Sequence, residues 1–287
     1  MGIDGEERLP VDCHTHIWLD GVHLGGAFVE DATRVWGSAL CLEADPEQHW
    51  QAMLPADRVV VLAFQAPACG VVVPNDYVAA YVAQHPDKLI GFASVDPNDP
   101  GSADQLRAAV DELGLRGLKV APIYQDFDPT SERAERVFAV AEELGLPVLW
   151  HQGTSFIRSG PLKYSNPVAV DEVAIRHPEL RVVVAHLGHP WIEETIVVVR
   201  KHPFVYADIS GLHTRPWQLY NGLVTALEYG ITDKLLFGSD FPFATIQQTR
   251  QALRAVTRMV EGTPLPQIPE IVVESIIARN TISLLRL

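Results

Sequence analysis

The sequence is poor in cysteine and in basic residues, and it has no long apolar run. Three cysteines, Cys13, Cys41 and Cys69, form an odd set at wide spacings, with no Cys-x-x-Cys. That excludes a disulfide framework and predicts free thiols in a reducing, cytoplasmic compartment. Only 22 Lys and Arg stand against 36 Asp and Glu, a net charge of -14. Nothing in such a balance neutralises phosphates, which argues against nucleic acid as a partner. It argues equally against an anionic membrane surface. The longest apolar stretch, residues 59–73, is broken by Gln65, Pro67 and Gly70 and is too short to cross a bilayer. Residues 1–8 are polar and partly acidic, unlike a signal peptide. No Gly-x-Gly-x-x-Gly follows the first strand and no Walker motif occurs, so nucleotide binding has no support.

What is present is alternation. Segments rich in β-branched residues recur at 11–16, 58–64, 88–95, 115–120, 147–151, 181–186, 204–210 and 234–240. Helical patterns fall between them, at 76–85, 102–113, 131–144, 167–177, 190–201 and 217–229. Near-continuous apolar strands are buried on both faces, as in parallel sheets. Gly114, Gly145 and Gly230 stand where left-handed helix ends need glycine, and Ser102 and Ser131 stand at N-cap positions. The pattern predicts one α/β domain over residues 1–287, a (β/α)8 TIM barrel. A long, early Gly-rich segment, 19–55, is a loop insertion after the first strand, over the barrel mouth. A helix at 245–261 and an extra C-terminal helix at 270–280 complete the chain.

Polar residues end these apolar strands. Asp12, His14 and His16 alternate in the first strand, so they share a face, with Cys13 and Thr15 on the other. The two imidazoles stand roughly 7 Å apart along the backbone and reach one ion. His151 ends the fifth strand, His186 the sixth and Asp240 the eighth. Lys119 lies in the fourth and Asp208 in the seventh. A lone histidine at a strand end is ordinarily structural. Four on one barrel face, with a terminal carboxylate, read as a metal site, because barrel chemistry sits at the C-terminal strand ends. Imidazoles and a carboxylate hold a divalent ion and leave a place for water. His85, His177 and His202 each precede a proline at the other end of the strands and read as surface caps.

The stretches His14-x-His16, Gly117-Leu-Lys-Val120, Trp150-His-Gln-Gly153, Ala185-His-Leu-Gly188 and Phe237-Gly-Ser-Asp-Phe-Pro242 resemble the amidohydrolase superfamily. More narrowly they resemble its amidohydrolase-2 family, which includes aminocarboxymuconate-semialdehyde decarboxylase. The likeness runs from Val11 to Leu287. It implies that His14, His16, His151 and Asp240 bind one metal, Zn²⁺ first and Mn²⁺ or Fe²⁺ as alternatives. It implies that His186 is the catalytic histidine, with Asp240 sharing the proton traffic. In binuclear members a carboxylated lysine bridges two metals, a part open to Lys119, but the amidohydrolase-2 branch favours one metal. Some decarboxylases of this branch carry Glu in place of the first histidine, where this chain has His14.

Supporting positions are Asp208, Asp12 and His189, with Trp18 and Trp191 at the mouth. Arg158, Lys163, His213 and Arg215 are candidates to receive a substrate carboxylate, since arginine forks match that group. The expected activity is a metal-dependent hydrolase in which a metal-activated water attacks an amide or lactone carbonyl of a small molecule. The alternative is a metal-dependent, non-oxidative decarboxylase of a small aromatic or enoic acid, marked by an arginine aimed at the substrate acid. A homodimer is the default for soluble enzymes.

Overall fold

The computed structural model describes residues 8–37 and 42–287. Cys41 and residues 1–7 lie outside that range, and with them their readings as a free thiol and as an N-terminus unlike a signal peptide. Strands β1 (Val11–His16) and β2 (Arg58–Leu62) precede a short hairpin of β3 (Phe64–Ala66) and β4 (Val71–Val73). Then come β5 (Leu89–Ser94), β6 (Leu118–Val120), β7 (Val148–Trp150), β8 (Val182–Val184), β9 (Val205–Asp208) and β10 (Leu235–Leu236). Eight of these form one parallel sheet in the order β1-β2-β5-β6-β7-β8-β9-β10. The chain just after β10 closes the ring onto β1. Cys13 N–H donates to the Phe237 carbonyl at 3.1 Å, and Asp240 N–H to that of His14 at 2.8 Å. The result is the (β/α)8 barrel that the alternation predicts.

Side chains sort by the two-residue period of the strands. Val60, Leu62, Ile90, Phe92, Leu149, Val183, Tyr206 and Leu236 fill the barrel axis. Val59, Val61, Leu118, Val120, Val148, Val182 and Val205 pack outward against the helices. The first strand breaks the period. Asp12 pairs with Val59 and Thr15 with Val61, so two residues, Cys13 and His14, stand against Val60 alone. Cys13 therefore joins the inner cluster while His14 still faces inward, and Asp12 does not share His14's face as simple alternation predicts.

Gly114, Gly145 and Gly230 do adopt positive φ, and the Ser131 side chain does cap its helix. Ser102 lies one residue inside its helix, whose N-cap is Gly101. The insertion after β1 is more than a loop, since it carries the helices Gly26–Trp36 and Pro46–Met53. The helix read at 245–261 ends at Val256. That read at 270–280 is two helices, Glu270–Ile277 and Thr281–Leu285, the second capped by Asn280. Several strands stop earlier than their apolar runs, because the ladder ends where the polar residues begin. His151 and His186 thus fall just beyond β7 and β8, and Asp240 in the irregular segment that follows β10. No described helix is long and apolar enough to cross a membrane.

Candidate active site

At the C-terminal end of the barrel the histidines converge, and one buried carboxylate sets their orientation. Asp208 Oδ2 lies 2.9 Å from His14 Nδ1. Its Oδ1 accepts from the His186 N–H at 2.9 Å, the Ser210 N–H at 3.0 Å and the Ser210 Oγ at 2.5 Å. Burial alone would raise the Asp208 pKa, but His14 beside it and these donors hold it well below the usual carboxylate range. A carboxylate only accepts, so His14 Nδ1 carries the proton and Nε2 is a bare lone pair. Ser210 Oγ spends its hydrogen on Asp208. It therefore accepts from His186 Nδ1, 2.8 Å away, which leaves His186 Nε2 bare as well. His151 Nε2 faces the Thr154 carbonyl at 3.2 Å and must donate to it, so its Nδ1 is bare.

The bare nitrogens of His186 and His151 lie 3.2 Å apart. Two lone pairs that close repel unless a cation binds both. Nitrogens held at about 2.1 Å from one ion, at a right angle, stand about 3.0 Å apart. The ligand atoms of His14, His186 and Asp240 all lie within 4.8 Å of one another. His14 Nε2 is 3.3 Å and His16 Nε2 3.6 Å from Asp240 Oδ1. This donor set fits a divalent cation. Burial pushes His16 and His151 well below their ordinary pKa and His186 down to about 4, so all three stay neutral, the ligating form. His186 and Asp240 also hold positive φ, 57° and 63°, which costs each about 1 kcal/mol and persists where the surroundings impose it.

The sequence reading holds His186 apart from the ion. The geometry places its Nε2 among the donors, because Asp208 and Ser210 orient it as they orient His14. Lys119 is buried on the inner face of β6, with Nζ 3.2 Å from His14 Nε2. Burial pulls its pKa down to about 8, partly offset by Asp240 and Asp208. Asp12 accepts from the backbone N–H of His14 and Ser239 and not from a ligand ring. Trp18 stacks on His16, with ring centroids 5.1 Å apart.

Above the cluster opens a cavity of about 580 Å³. Its walls are largely aromatic: Trp18, Phe28, Trp36, Phe64, Tyr124, Phe156 and Phe243, with His189, His213 and Arg215 on the rim. Arg158 is not in this wall. Its guanidinium is tied to Asp31 at 2.5 Å and to Glu30 at 2.6 Å, bracing the insertion helix against the loop after β7. Lys163 is exposed over the Tyr164 ring, and neither it nor Trp191 lines the cavity. His85, His177 and His202 are likewise elsewhere, the first stacked on Trp50 and the others paired with acids. Trp18 is the wall residue read from the sequence; the other rings were hidden because they come from elements far apart in the chain, and Ser210 because a serine after a strand carries no signal.

The amidohydrolase model of the amidohydrolase-2 group matches residues 11–287. The chain belongs to the amidohydrolase-2 family. It is therefore an enzyme of the amidohydrolase superfamily. Its similarity to the gamma-resorcylate decarboxylase of Rhodococcus jostii (strain RHA1) is 24% identity over 230 residues, covering 62% of this chain and 67% of that protein. Among solved structures, it resembles a probable 2-pyrone-4,6-dicarboxylic acid hydrolase from Acinetobacter baumannii. That match has a TM-score of 0.68 and 14% identity over 97% of this chain and 100% of that one. It also resembles the 5-carboxyvanillate decarboxylase of Novosphingobium aromaticivorans, solved with manganese and 4-hydroxy-3-methoxy-5-nitrobenzoic acid. There the TM-score is 0.68 and the identity 15%, over 100% of this chain and 98% of that one. The structural likenesses establish the barrel fold alone.

Proposed function

We propose that this amidohydrolase-2 enzyme is a metal-dependent decarboxylase of a small planar acid, in preference to the hydrolase that the family's breadth suggests. The observation that carries the reading is the aromatic slot directly over the donor cluster, with Lys119 and Arg215 as its cations. Flat rings on several sides suit an unsaturated or aromatic acid. Two of the named relatives are decarboxylases, which supports the same reading.

His14, His16, His151 and Asp240 would hold one divalent ion, with His186 Nε2 completing or facing the set. Zn²⁺ and Mn²⁺ both suit such ligands. When bound, the ion supplies positive charge that anchors substrate oxygens and stabilises negative charge on the ring. In the reaction the bond between ring carbon and carboxylate breaks, its electron pair stays on the ring carbon, and CO₂ leaves. A proton must then reach that carbon. Asp240 opens into the cavity and would carry that proton in from solvent, while His186, neutral and with its one N–H held by Ser210, would face the ion through Nε2. Trp18, Phe64 and Tyr124 exclude water and hold the ring flat. Asp208 takes no part in proton transfer; it keeps two imidazoles in the ligating tautomer.

A second reading, hydrolysis of a lactone, is favoured by one residue. His14 stands where some decarboxylases of the family carry Glu. The test offers metal-loaded enzyme 2,6-dihydroxybenzoate and 5-carboxyvanillate on one side and 2-pyrone-4,6-dicarboxylate on the other. Release of CO₂ from an aromatic acid is the expected result. Ring opening of the lactone without CO₂ from either acid would overturn decarboxylation in favour of hydrolysis.

A further inference from the structure

The cavity mouth differs in kind from one part of its rim to another. Where the loops after β8 and β9 contribute, it is polar, with His189, His213 and Arg215. Where the insertion contributes, it is apolar. Val35 and Trp36, the last residues of the helix Gly26–Trp36, line the cavity together with Phe156 of the loop after β7 and Phe243 of the segment after β10. The Trp36 ring lies 4.7 Å from that of Phe156 and 5.3 Å from that of Phe243 between centroids. Thr154 and Ser155, beside Phe156, are the polar members here and carry no charge. The charged neighbours are spent on one another and on the backbone. Asp31 and Glu30 hold Arg158, and Arg34 donates to the Phe156 carbonyl at 2.9 Å. These ties brace helix and loop together, so the apolar wall is built before a ligand arrives. Val35 is nevertheless 47% exposed and Trp36 40%. Single exposed apolar residues are ordinary, but these two adjoin each other and a cavity, which marks a surface that a ligand covers. The volume agrees. About 580 Å³ falls in the range that takes drug-sized ligands, about 300–1,000 Å³, and one ring with a carboxylate leaves much of it empty.

We infer that Val35, Trp36, Phe156 and Phe243 form an outer subsite for an apolar group, so that the substrate is a planar acid bearing an alkyl or aryl extension. This rests on the reading of the cavity as a slot for a planar acid. The acid group faces the donor cluster and Lys119, and the extension lies against Trp36 and the two phenyl rings. Withdrawing roughly 55 Å² of apolar surface from water there accounts for a tenfold gain in affinity. A charged extension would lose hydration against this wall without gaining a partner.

The test is calorimetric and needs no turnover. Metal-loaded enzyme is titrated with benzoate, 3-phenylbenzoate and 4-phenylbenzoate, which carry the same single charge and aim the second ring in two directions. At least one phenylbenzoate is expected to bind tenfold or more tightly than benzoate. Trp36→Gln is expected to cut that ratio to threefold or less, and Trp36→Phe to keep most of it. Val35→Asn, at the same helix end, is expected to lower it as well. Affinities are compared within each variant, so an equal loss for benzoate and phenylbenzoate, the mark of a merely structural role, overturns the subsite. A ratio near one in the wild type overturns it too, as does a high ratio that survives both Trp36→Gln and Val35→Asn. The outcome is independent of the CO₂ assay. CO₂ released from 2,6-dihydroxybenzoate with a ratio near one would leave decarboxylation standing and the subsite fallen. A high, Trp36-dependent ratio with no CO₂ from any acid would do the reverse.

Discussion

At the scale of single residues, Asp208 decides most about the centre. One buried carboxylate accepts from the His14 ring, from the backbone N–H of His186 and from the serine that fixes the His186 ring. Asp208→Asn keeps the shape but puts an N–H₂ where an acceptor is needed. It should weaken metal binding about 10- to 100-fold, as loss of such outer partners does. Metal retained after dialysis, measured by mass spectrometry, is the readout, and wild-type retention would reduce Asp208 to a loop staple. His186 offers a sharper test, because its Nε2 sits with those of the donors. His186→Ala should lose bound metal together with turnover, as His151→Ala should. Full metal content with abolished turnover would return His186 to the purely proton-moving role that the sequence suggests.

At the scale of elements, the insertion after β1 is tied to the barrel through His49 of the helix Pro46–Met53. Thr15 Oγ1 donates to the Val60 carbonyl at 2.6 Å, so it must accept from His49 Nε2 at 2.9 Å. His49 Nδ1 then accepts from the Tyr81 hydroxyl at 2.8 Å. Both bonds need a neutral ring. Burial, with nearby His16 adding to it, pulls the His49 pKa from 6.5 to about 3. The unfolded chain therefore binds the proton first as pH falls. The stability that His49 contributes is complete above about pH 6.5 and is lost toward pH 3, at up to ~1.4 kcal/mol per pH unit. Melting temperatures of His49→Gln should accordingly fall less steeply than those of the wild type between pH 6.5 and 4, and parallel curves would show that His49 does not titrate there. Such links mark the limit of what was legible in the sequence. The barrel strands and the five converging residues could be read, because each ends an apolar run. The aromatic wall beyond Trp18, His49 and the choice of Arg215 over Arg158 could not. They depend on which loops meet across the mouth, and Arg158 is spent on Asp31 and Glu30, acids 127 and 128 residues away in sequence.

At the scale of the whole molecule, the barrel has a chemical end and a structural end, and the last turn of chain closes the second. Leu285 packs into the inner cluster with Ile282, Leu284 and Leu287 against it. Neighbouring Arg286 lies close to Arg181, which immediately precedes β8, so this plug sits at the N-terminal strand ends, away from the donors. Conservation of function by separation follows from that layout, because in TIM barrels one face carries chemistry and the other stability. Leu285→Ala removes a side chain that is 1% exposed, where the surrounding strands are too rigidly paired to collapse onto the space. The expected cost is about 2–5 kcal/mol. For a chain of this size that lowers the melting temperature by roughly 5–15 °C. Bound metal and turnover per folded molecule should stay at the wild-type level when assayed well below the transition. Lost metal at unchanged melting temperature would mean that the plug supports the centre through the barrel axis, by way of Cys13, which shares the inner cluster with Leu285 and precedes His14 in the strand.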